Sequence, residues 1–207
     1  MALLFNLLSA ILLVAGLSGP AVAAGATVLA LGDSLTAGYG LAPADGFTVQ
    51  LERALRAAGH DIAVRNAGVS GDTSAGGRAR LDWALAEPVD LVIVELGAND
   101  GLRGLDPSET ERNLDAILTA LKDRRIPVLL TGMRAPPNMG ADYADAFDSL
   151  FVRVARRHQV PFYPFFLEGV AARPELNQGD GIHPNARGVG VIVERIAPIV
   201  LRALERR

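Results

Sequence analysis

Short apolar runs alternate with longer amphipathic patterns along most of this 207-residue chain, and this alternation restricts the possible folds more than any other feature. Runs with the length and β-branched content of strands lie at residues 26–31, 62–66, 91–96, 127–131 and, more weakly, 160–163. The third run is almost continuously apolar, which is typical of a strand covered on both faces of a parallel sheet.

Helical patterns fill the intervals between these runs, at residues 48–58, 76–85, 108–124 and 143–158, and a last one extends from residue 185 to the C-terminus. Pro107, Ser108 and Glu111 predict a capping box at the start of the third helix. Repeated strand–helix units predict an α/β fold: a three-layer α/β/α sandwich with a flavodoxin-like, doubly wound parallel sheet of about five strands. Because no linker or repeat follows residue 26, we expect a single domain over residues 25–207.

The first 24 residues read as a targeting segment. They contain no charged side chain, and an apolar stretch at residues 3–17 precedes Gly19, Pro20 and a run of small residues. This order is typical of a secretory signal peptide, with cleavage after Ala23 or Ala24. No Lys or Arg precedes the apolar stretch, so an uncleaved anchor or a buried N-terminal helix remains an alternative. We expect a periplasmic or secreted protein without stable membrane insertion once the signal is removed.

Composition excludes several classes of protein and of site. A chain that is 50% hydrophobic and 21% charged is not a disordered protein. Its net charge of −3 argues against nucleic acid as a partner, because binding to phosphates requires clustered cations. It has no cysteine, which removes disulfides, thiolate metal ligands and a cysteine nucleophile. Only three histidines leave little room for a His-rich metal site.

Polar, glycine-containing clusters follow the first three predicted strands, and a fourth cluster precedes the last helix; they lie at residues 32–38, 66–73, 97–101 and 179–184. In a doubly wound sheet, ligands bind outside the carboxyl ends of the strands. We therefore expect the four clusters to converge on one edge of the sheet. The patterns that would indicate a phosphate loop, a dinucleotide site or a lipase-type nucleophile elbow are all missing after the first strand.

Acyl transfer needs a nucleophile, a base and a group that orients the base. Without cysteine, and with the only lysine inside a helical pattern, a hydroxyl is the natural nucleophile, and Ser34 follows the first strand. His183 is the best candidate base because Asp180 precedes it by three residues. Each pattern also has a structural alternative, since Asp33 and Ser34 are common helix N-caps and Asp-x-x-His can be an ordinary turn.

Together the four clusters resemble the sequence blocks of the SGNH hydrolases, also called GDSL esterases/lipases. The matching residues are GDSL at 32–35, Gly71, GAND at 97–100 and DGIH at 180–183, in family order across the chain after residue 26. The segments 34–40, 70–77 and 96–104 are similar to the small secreted bacterial branch of acyl-thioesterase, lysophospholipase and arylesterase enzymes. The resemblance implies the SGNH hydrolase fold and a cofactor-independent esterase.

Site roles follow from the resemblance, position by position. It implies Ser34 as the nucleophile, His183 as general base and then general acid, and Asp180 as the residue that orients His183. It also implies an oxyanion hole formed by the backbone N–H groups of Ser34 and Gly71 and by the side-chain amide of Asn99. An amide suits this role because it is a neutral donor that cannot lose a proton.

Two further aspartates in these blocks, Asp33 and Asp100, are expected to be structural. The chain departs from the family branch at Thr36, where the branch often has serine, and at Gly179, where it often has an acidic residue. Neither position has an assigned chemical role, so we expect both to bear on substrate preference.

The sequence therefore predicts a serine esterase, acting as a monomer on small acyl or aryl esters and possibly thioesters. Two loops, residues 102–107 and 133–140, and the last cluster are expected to supply the substrate contacts, namely Leu102, Met133, Pro136, Asn138 and Ile182. One alternative is a carbohydrate O-deacetylase of the same superfamily, although its aromatic sugar platform is not evident, since Trp83 lies in a helical pattern. The other alternative is a non-catalytic binding domain.

Overall fold

Five parallel strands form the centre of the protein, in a computed structural model that describes residues 25–205. The predicted signal peptide, residues 1–24, lies outside the described residues. The strands are β1 Ala26–Gly32, β2 Ile62–Gly68, β3 Leu91–Glu95, β4 Val128–Thr131 and β5 Phe162–Tyr163. Their order, β2-β1-β3-β4-β5, confirms the predicted doubly wound sheet of flavodoxin type.

Helices connect and flank these strands. In chain order, those of the described residues are α1 Ser34–Ala37, α2 Phe47–Ala57, α3 Ser74–Ala79, α4 Leu81–Ala84, α5 Ala98–Leu102, α6 Pro107–Asp123, α7 Ala141–His158 and α8 Ala186–Leu204. The predicted second helix is thus divided into α3 and α4 at Arg80. The short helices α1 and α5 were not predicted, because glycines on both sides of them resemble strand-end turns.

The core lies between the sheet and its two helical layers. All five residues of β3 are buried, as its continuous apolar pattern predicts. On one side α2 packs against α8, and elsewhere α6 packs against α3 and α7. Fully buried phenylalanines make edge-to-face contacts in this core: Phe47 of α2 with Phe166, which follows β5, and Phe147 with Phe151 within α7.

The predicted capping box at the start of α6 is wrong. The helix begins at Pro107, and its N-cap is Asp106, whose Oδ1 accepts a hydrogen bond of 2.8 Å from the Ser108 backbone N–H. Proline suits the first helical position because its fixed φ is already helical and its missing N–H would have no helical partner there. Glu111 instead forms ion pairs with Arg153 of α7, so it joins two helices rather than capping one.

Within residues 25–205, no helix is long and apolar enough to cross a bilayer.

Two buried carboxyl groups lie directly beneath the carboxyl end of β1. Glu95 ends β3 in register with Gly32, and its Oε2 accepts hydrogen bonds from Thr36 Oγ1 at 2.8 Å and from the Asp33 backbone N–H at 3.3 Å. The carboxyl group of Asp33 is itself fully buried. Burial raises the pKa of Asp33 to about 6, and burial followed by the charge of Asp33 raises the pKa of Glu95 well above its ordinary range.

These raised pKa values predict how stability changes with pH. The folded protein holds these protons more tightly than the unfolded chain, so the free energy of unfolding should fall as pH rises from about 4 through 6 and beyond. Glu95→Gln removes one titrating group, so the decrease in the free energy of unfolding between pH 5 and 8 should be smaller than in the unaltered protein. Urea unfolding at a series of pH values measures this difference. Glu87→Gln, on an exposed side chain, is the matched control. If the free energy of unfolding decreases with pH as much in Glu95→Gln as in this control, the raised pKa of Glu95 is contradicted.

Candidate active site

The four polar clusters converge on the carboxyl edge of the sheet, around a cleft of about 410 Å³. The cleft contains residues from every cluster, including Ser34, Gly71, Asn99 and His183. Most of its remaining wall is apolar. A concave, largely apolar cleft with a few convergent polar groups is the usual form of a small-molecule site.

Ser34 owes its position to the abrupt end of β1. The strand ends at Gly32, Asp33 is the N-cap of α1, and Ser34 is the first residue of that one-turn helix. Asp33 Oδ1 accepts a 3.0 Å hydrogen bond from the Leu35 backbone N–H, which fixes the turn. A side chain at position 32 would collide with Thr36 and Glu95, so the close approach of these groups requires a glycine there.

Ser34, His183 and Asp180 form a continuous chain of hydrogen-bonding groups. His183 Nε2 lies 2.9 Å from Ser34 Oγ, and His183 Nδ1 lies 2.7 Å from Asp180 Oδ2. Asp180 Oδ1 also accepts backbone hydrogen bonds of 3.0 Å from Ile182 and from His183 itself. With Nδ1 protonated and facing the carboxylate, Nε2 can accept the proton of the serine hydroxyl.

The electrostatics of this chain depend on Asp180. Hydrogen bonds from the His183 backbone N–H, the His183 ring and the Ile182 backbone N–H lower the pKa of Asp180 to about 2. The carboxylate therefore stays charged throughout the mildly acidic and neutral range, where it can stabilise an imidazolium as it forms.

The other two proposed oxyanion donors, Gly71 and Asn99, line the same cleft as Ser34. Gly71 has φ +85°, a left-handed conformation that favours glycine. The Asn99 amide Nδ2 donates to Asp33 Oδ2 at 3.1 Å and to the Asp72 carbonyl oxygen at 2.9 Å. An amide nitrogen has two hydrogens, so Asn99 must share or release one of these bonds to donate to a substrate.

Two arginines, Arg80 and Arg103, stabilise the loops that follow β1 and β2. Arg80 Nε binds Asp72 Oδ2 at 2.6 Å, and its Nη2 donates to the Gly32 carbonyl oxygen at 2.9 Å, so it joins the loops after β1 and β2. Arg103 Nη2 donates to the Gly71 carbonyl oxygen at 2.8 Å. Sequence reasoning did not identify these roles; for Arg103 alone there was a signal, because it lies in the family-like segment 96–104.

The other polar residues of the family blocks have structural partners. Asp100 is buried and accepts hydrogen bonds from the Ser74 hydroxyl and from Thr110 Oγ1, in agreement with the structural role expected for it. Thr36 is also buried, bonds to Glu95 and does not line the cleft. The expectation that Thr36 bears on substrate preference is therefore wrong, because its hydroxyl faces the buried carboxyl group of Glu95 and not the cleft.

Four of the five predicted substrate contacts line the cleft: Leu102, Met133, Pro136 and Ile182. Asn138 does not, although it lies in the 3₁₀ turn Pro137–Met139, whose first residue, Pro137, does line the cleft. Sequence reasoning missed the wall that follows β5, where Phe165, Leu167, Ala171 and Ala172 line the cleft. The segment that supplies them has no regular pattern in the sequence, since it is neither strand nor long helix.

No group of three or more His, Cys, Asp or Glu side chains among residues 25–205 could hold a metal ion.

Comparison with known proteins agrees with this geometry. Residues 30–191 match the model of the GDSL-like Lipase/Acylhydrolase family. The chain is 42% identical over 177 residues to esterase TesA of Pseudomonas aeruginosa, covering 85% of this chain and 88% of that protein. It is also 42% identical over 164 residues to thioesterase 1/protease 1/lysophospholipase L1 of Escherichia coli strain K12, covering 79% and 77% of the two chains.

Solved structures give the same result. The crystal structure of AlinE4, an SGNH-hydrolase family esterase, superimposes with a TM-score of 0.74 at 47% identity and covers 87% of this chain and 97% of that one. The family match spans most of the chain, and the fold, the order of the sequence blocks and the placement of the polar groups all agree with it. The chain therefore belongs to the GDSL-like lipase/acylhydrolase family, has the SGNH hydrolase fold and is an ester-bond hydrolase.

Proposed function

We propose that this protein is a serine esterase that cleaves acyl and aryl esters, and thioesters, through an acyl-serine intermediate on Ser34. One observation carries the proposal: Ser34 Oγ, the His183 ring and Asp180 form an unbroken hydrogen-bonded series that ends in an apolar cleft. Each of the three groups needed to activate a hydroxyl nucleophile is present and within hydrogen-bonding distance.

In the first half-reaction, Ser34 Oγ attacks the carbonyl carbon while its proton passes to His183 Nε2. Asp180 stabilises the resulting imidazolium and holds its Nδ1–H. The tetrahedral intermediate then collapses as the bond to the leaving group breaks, and the imidazolium returns the proton to the departing alcohol or thiol. The acyl group remains on Ser34 as an ester.

Negative charge develops on the carbonyl oxygen during this attack. The backbone N–H groups of Ser34 and Gly71 and the Asn99 amide are the proposed donors to that oxygen. Asn99 starts from hydrogen bonds to Asp33 and Asp72, so it exchanges or shares one of them as the oxyanion forms. In the second half-reaction, His183 deprotonates a water molecule, which releases the acid and regenerates Ser34.

Substrate selection is proposed to depend on the apolar walls of the cleft. Met133, Pro136, Phe165 and Leu167 contribute no charge to it, which favours acyl or aryl groups over polyols. Trp83, the single tryptophan, is 74% exposed on α4 and does not line the cleft, so it cannot supply a sugar-stacking platform there. These observations favour the acyl esterase over a carbohydrate O-deacetylase.

Several features of the biological setting belong to the same proposal. We propose export to the periplasm or secretion, on the basis of the apolar segment at residues 3–17. The enzyme acts as a monomer on small molecules, without a metal or organic cofactor and without nucleic acid as a partner. Residues 25–207 form its single catalytic domain.

Removing the nucleophile tests the mechanism directly. Ser34→Ala should lower kcat for p-nitrophenyl butyrate hydrolysis on the order of 10⁴–10⁶-fold, since no hydroxyl remains to be acylated. Ser149→Ala, on an exposed serine of α7, is the control and should retain full activity. Thermal unfolding verifies that both variants fold. Turnover by Ser34→Ala at the rate of the control excludes Ser34 as the nucleophile.

Removing the amide tests the oxyanion hole. Asn99→Ala should lower kcat by about 10²–10³-fold with little change in KM, because the lost bond forms mainly in the transition state. Steady-state kinetics on the same ester separate the two constants. A decrease in kcat smaller than threefold removes Asn99 from this role.

A substrate series separates the acyl esterase from its alternative. We expect kcat/KM for p-nitrophenyl esters to rise from acetate to medium-length acyl chains, because each methylene buried in the apolar cleft contributes about 0.8 kcal/mol. An acyl-thioester and a lysophospholipid should also be cleaved, and acetylated sugars poorly. Preferential cleavage of acetylated sugars, with acetate the best p-nitrophenyl ester, supports the O-deacetylase instead.

A further inference from the structure

The loop that carries His183 has few attachments to the segment that carries Ser34. It is closed by an antiparallel bridge between Asn177 and Pro184, and Gly181 adopts a left-handed φ of +74° within it. In the described part of the chain, two hydrogen bonds join residues 177–185 to residues 33–46. One of them is the contact between His183 and Ser34 itself. The other is therefore the hydrogen bond that can hold the two segments in the position that this contact needs.

The second hydrogen bond comes from Gln178. Its side-chain Nε2 donates to the Tyr39 carbonyl oxygen at 2.8 Å and to the Pro184 carbonyl oxygen at 2.9 Å, and both amide hydrogens are thereby used. Its backbone N–H donates to the His183 carbonyl oxygen at 2.7 Å. A single residue therefore fixes the backbone at His183 and directly after it, and ties this backbone to Tyr39, just beyond the end of α1.

The ring of Tyr39 packs against the imidazole of His183. The two ring centroids are 4.6 Å apart, with an interplanar angle of 38°. Tyr39 follows α1, and its backbone N–H donates to the Ser34 carbonyl oxygen at 3.1 Å. Nucleophile and packing ring thus belong to one short segment, so the distance from Ser34 Oγ to the imidazole is constrained from both ends.

Gly40 makes this arrangement sterically possible. It has φ +72°, and a Cβ at this position would lie 2.2 Å from Gln178 Oε1. A larger residue would displace the Gln178 amide from the Tyr39 and Pro184 carbonyl groups.

We propose that Tyr39, Gly40 and Gln178 form an imidazole clamp that positions the His183 ring against Ser34. This inference rests on the proposed function, in which His183 is the general base. The three residues touch neither of the reacting oxygens, so they are positioning residues. The edge of the ring is held by Asp180, and the clamp fixes one face of the ring and the backbone around it.

The clamp matters because proton transfer depends steeply on geometry. A displacement of roughly 1 Å at a catalytic group can lower a rate by about 10²-fold. Because His183 acts in both half-reactions and contributes little to ground-state binding, loss of the clamp should lower kcat and leave KM nearly unchanged.

The first test uses steady-state kinetics with p-nitrophenyl butyrate. Gln178→Glu keeps the size of the side chain but removes both hydrogen-bond donors, and Tyr39→Leu removes the ring; each should lower kcat about tenfold, with KM within twofold. Tyr39→Phe restores the ring and should restore most of kcat. Trp83→Leu removes an exposed aromatic ring from α4, far from this loop in the sequence, and serves as the control.

The second test observes the imidazole itself. The chain has three histidines, so its ring protons give a small set of NMR signals, and His183→Gln identifies the signal of His183. Tyr39→Leu should move that signal by removing the ring current, Tyr39→Phe should return it, and Gln178→Glu should move or broaden it. The signals of His60 and His158 should not change, which separates a local effect from a change in overall folding.

Two outcomes overturn the clamp. One is wild-type kcat in both Gln178→Glu and Tyr39→Leu; the other is an effect confined to KM, which would make Tyr39 a substrate contact only. Either result with an inactive Ser34→Ala rejects the clamp and leaves the proposed function intact. An active Ser34→Ala rejects the proposed function itself.

Discussion

The contact between Ser34 and His183 is the interaction on which the rest of the site depends, and it joins residues 149 positions apart in the chain. Only the parallel sheet makes this possible. β1, which lies between β2 and β3, delivers Ser34 to the carboxyl edge of the sheet, and the loop before α8 returns His183 to the same edge. A hydrogen bond of 2.9 Å tolerates little displacement, so both ends need support that a loop alone does not provide.

That support comes mostly from side chains that bind backbone carbonyl groups. Arg80, Arg103 and Gln178 each bind a backbone oxygen of a neighbouring loop, and the Asn99 amide does the same at Asp72. These bonds join the four strand-end loops without extending the sheet. Loops braced in this way keep their backbone donors oriented before substrate arrives, which is the physical basis of electrostatic preorganisation.

The sequence predicted those parts of the structure that rest on local patterns. The five strands and the long helices follow from runs of β-branched residues and from helical spacing, and their boundaries shift by only a few residues. The helices α1 and α5 escaped prediction because each is about one turn long and is flanked by glycine, so it has no periodicity to detect. Similarly, the cap of α6 was misplaced by two residues because both Asp106 and Ser108 favour the N-cap position.

In the candidate site, too, residues within sequence motifs could be predicted, and contacts between distant loops could not. Ser34, Asp180 and His183 could be proposed from the sequence because all three lie in the family blocks, Asp180 precedes His183 by three residues, and the chain has only three histidines. The bond between Asn99 and Asp33 could not be predicted, since it spans 66 positions and depends on how two loops meet in space. Contacts of this kind have no sequence spacing of their own.

The carboxyl groups of Asp33 and Glu95 are buried beneath the site, and their burial lowers the stability of the fold. Both groups are fully buried beneath the turn that carries Ser34, and burial disfavours their charged forms. Yet each is used: Asp33 caps α1 and holds Asn99, and Glu95 receives the Thr36 hydroxyl and the Asp33 backbone N–H. An apolar pair in their place would leave four donors without partners at the point where the chain must turn most sharply. The burial of these two acids is destabilising, but their hydrogen bonds hold the turn that carries Ser34 and tie the Asn99 amide to it.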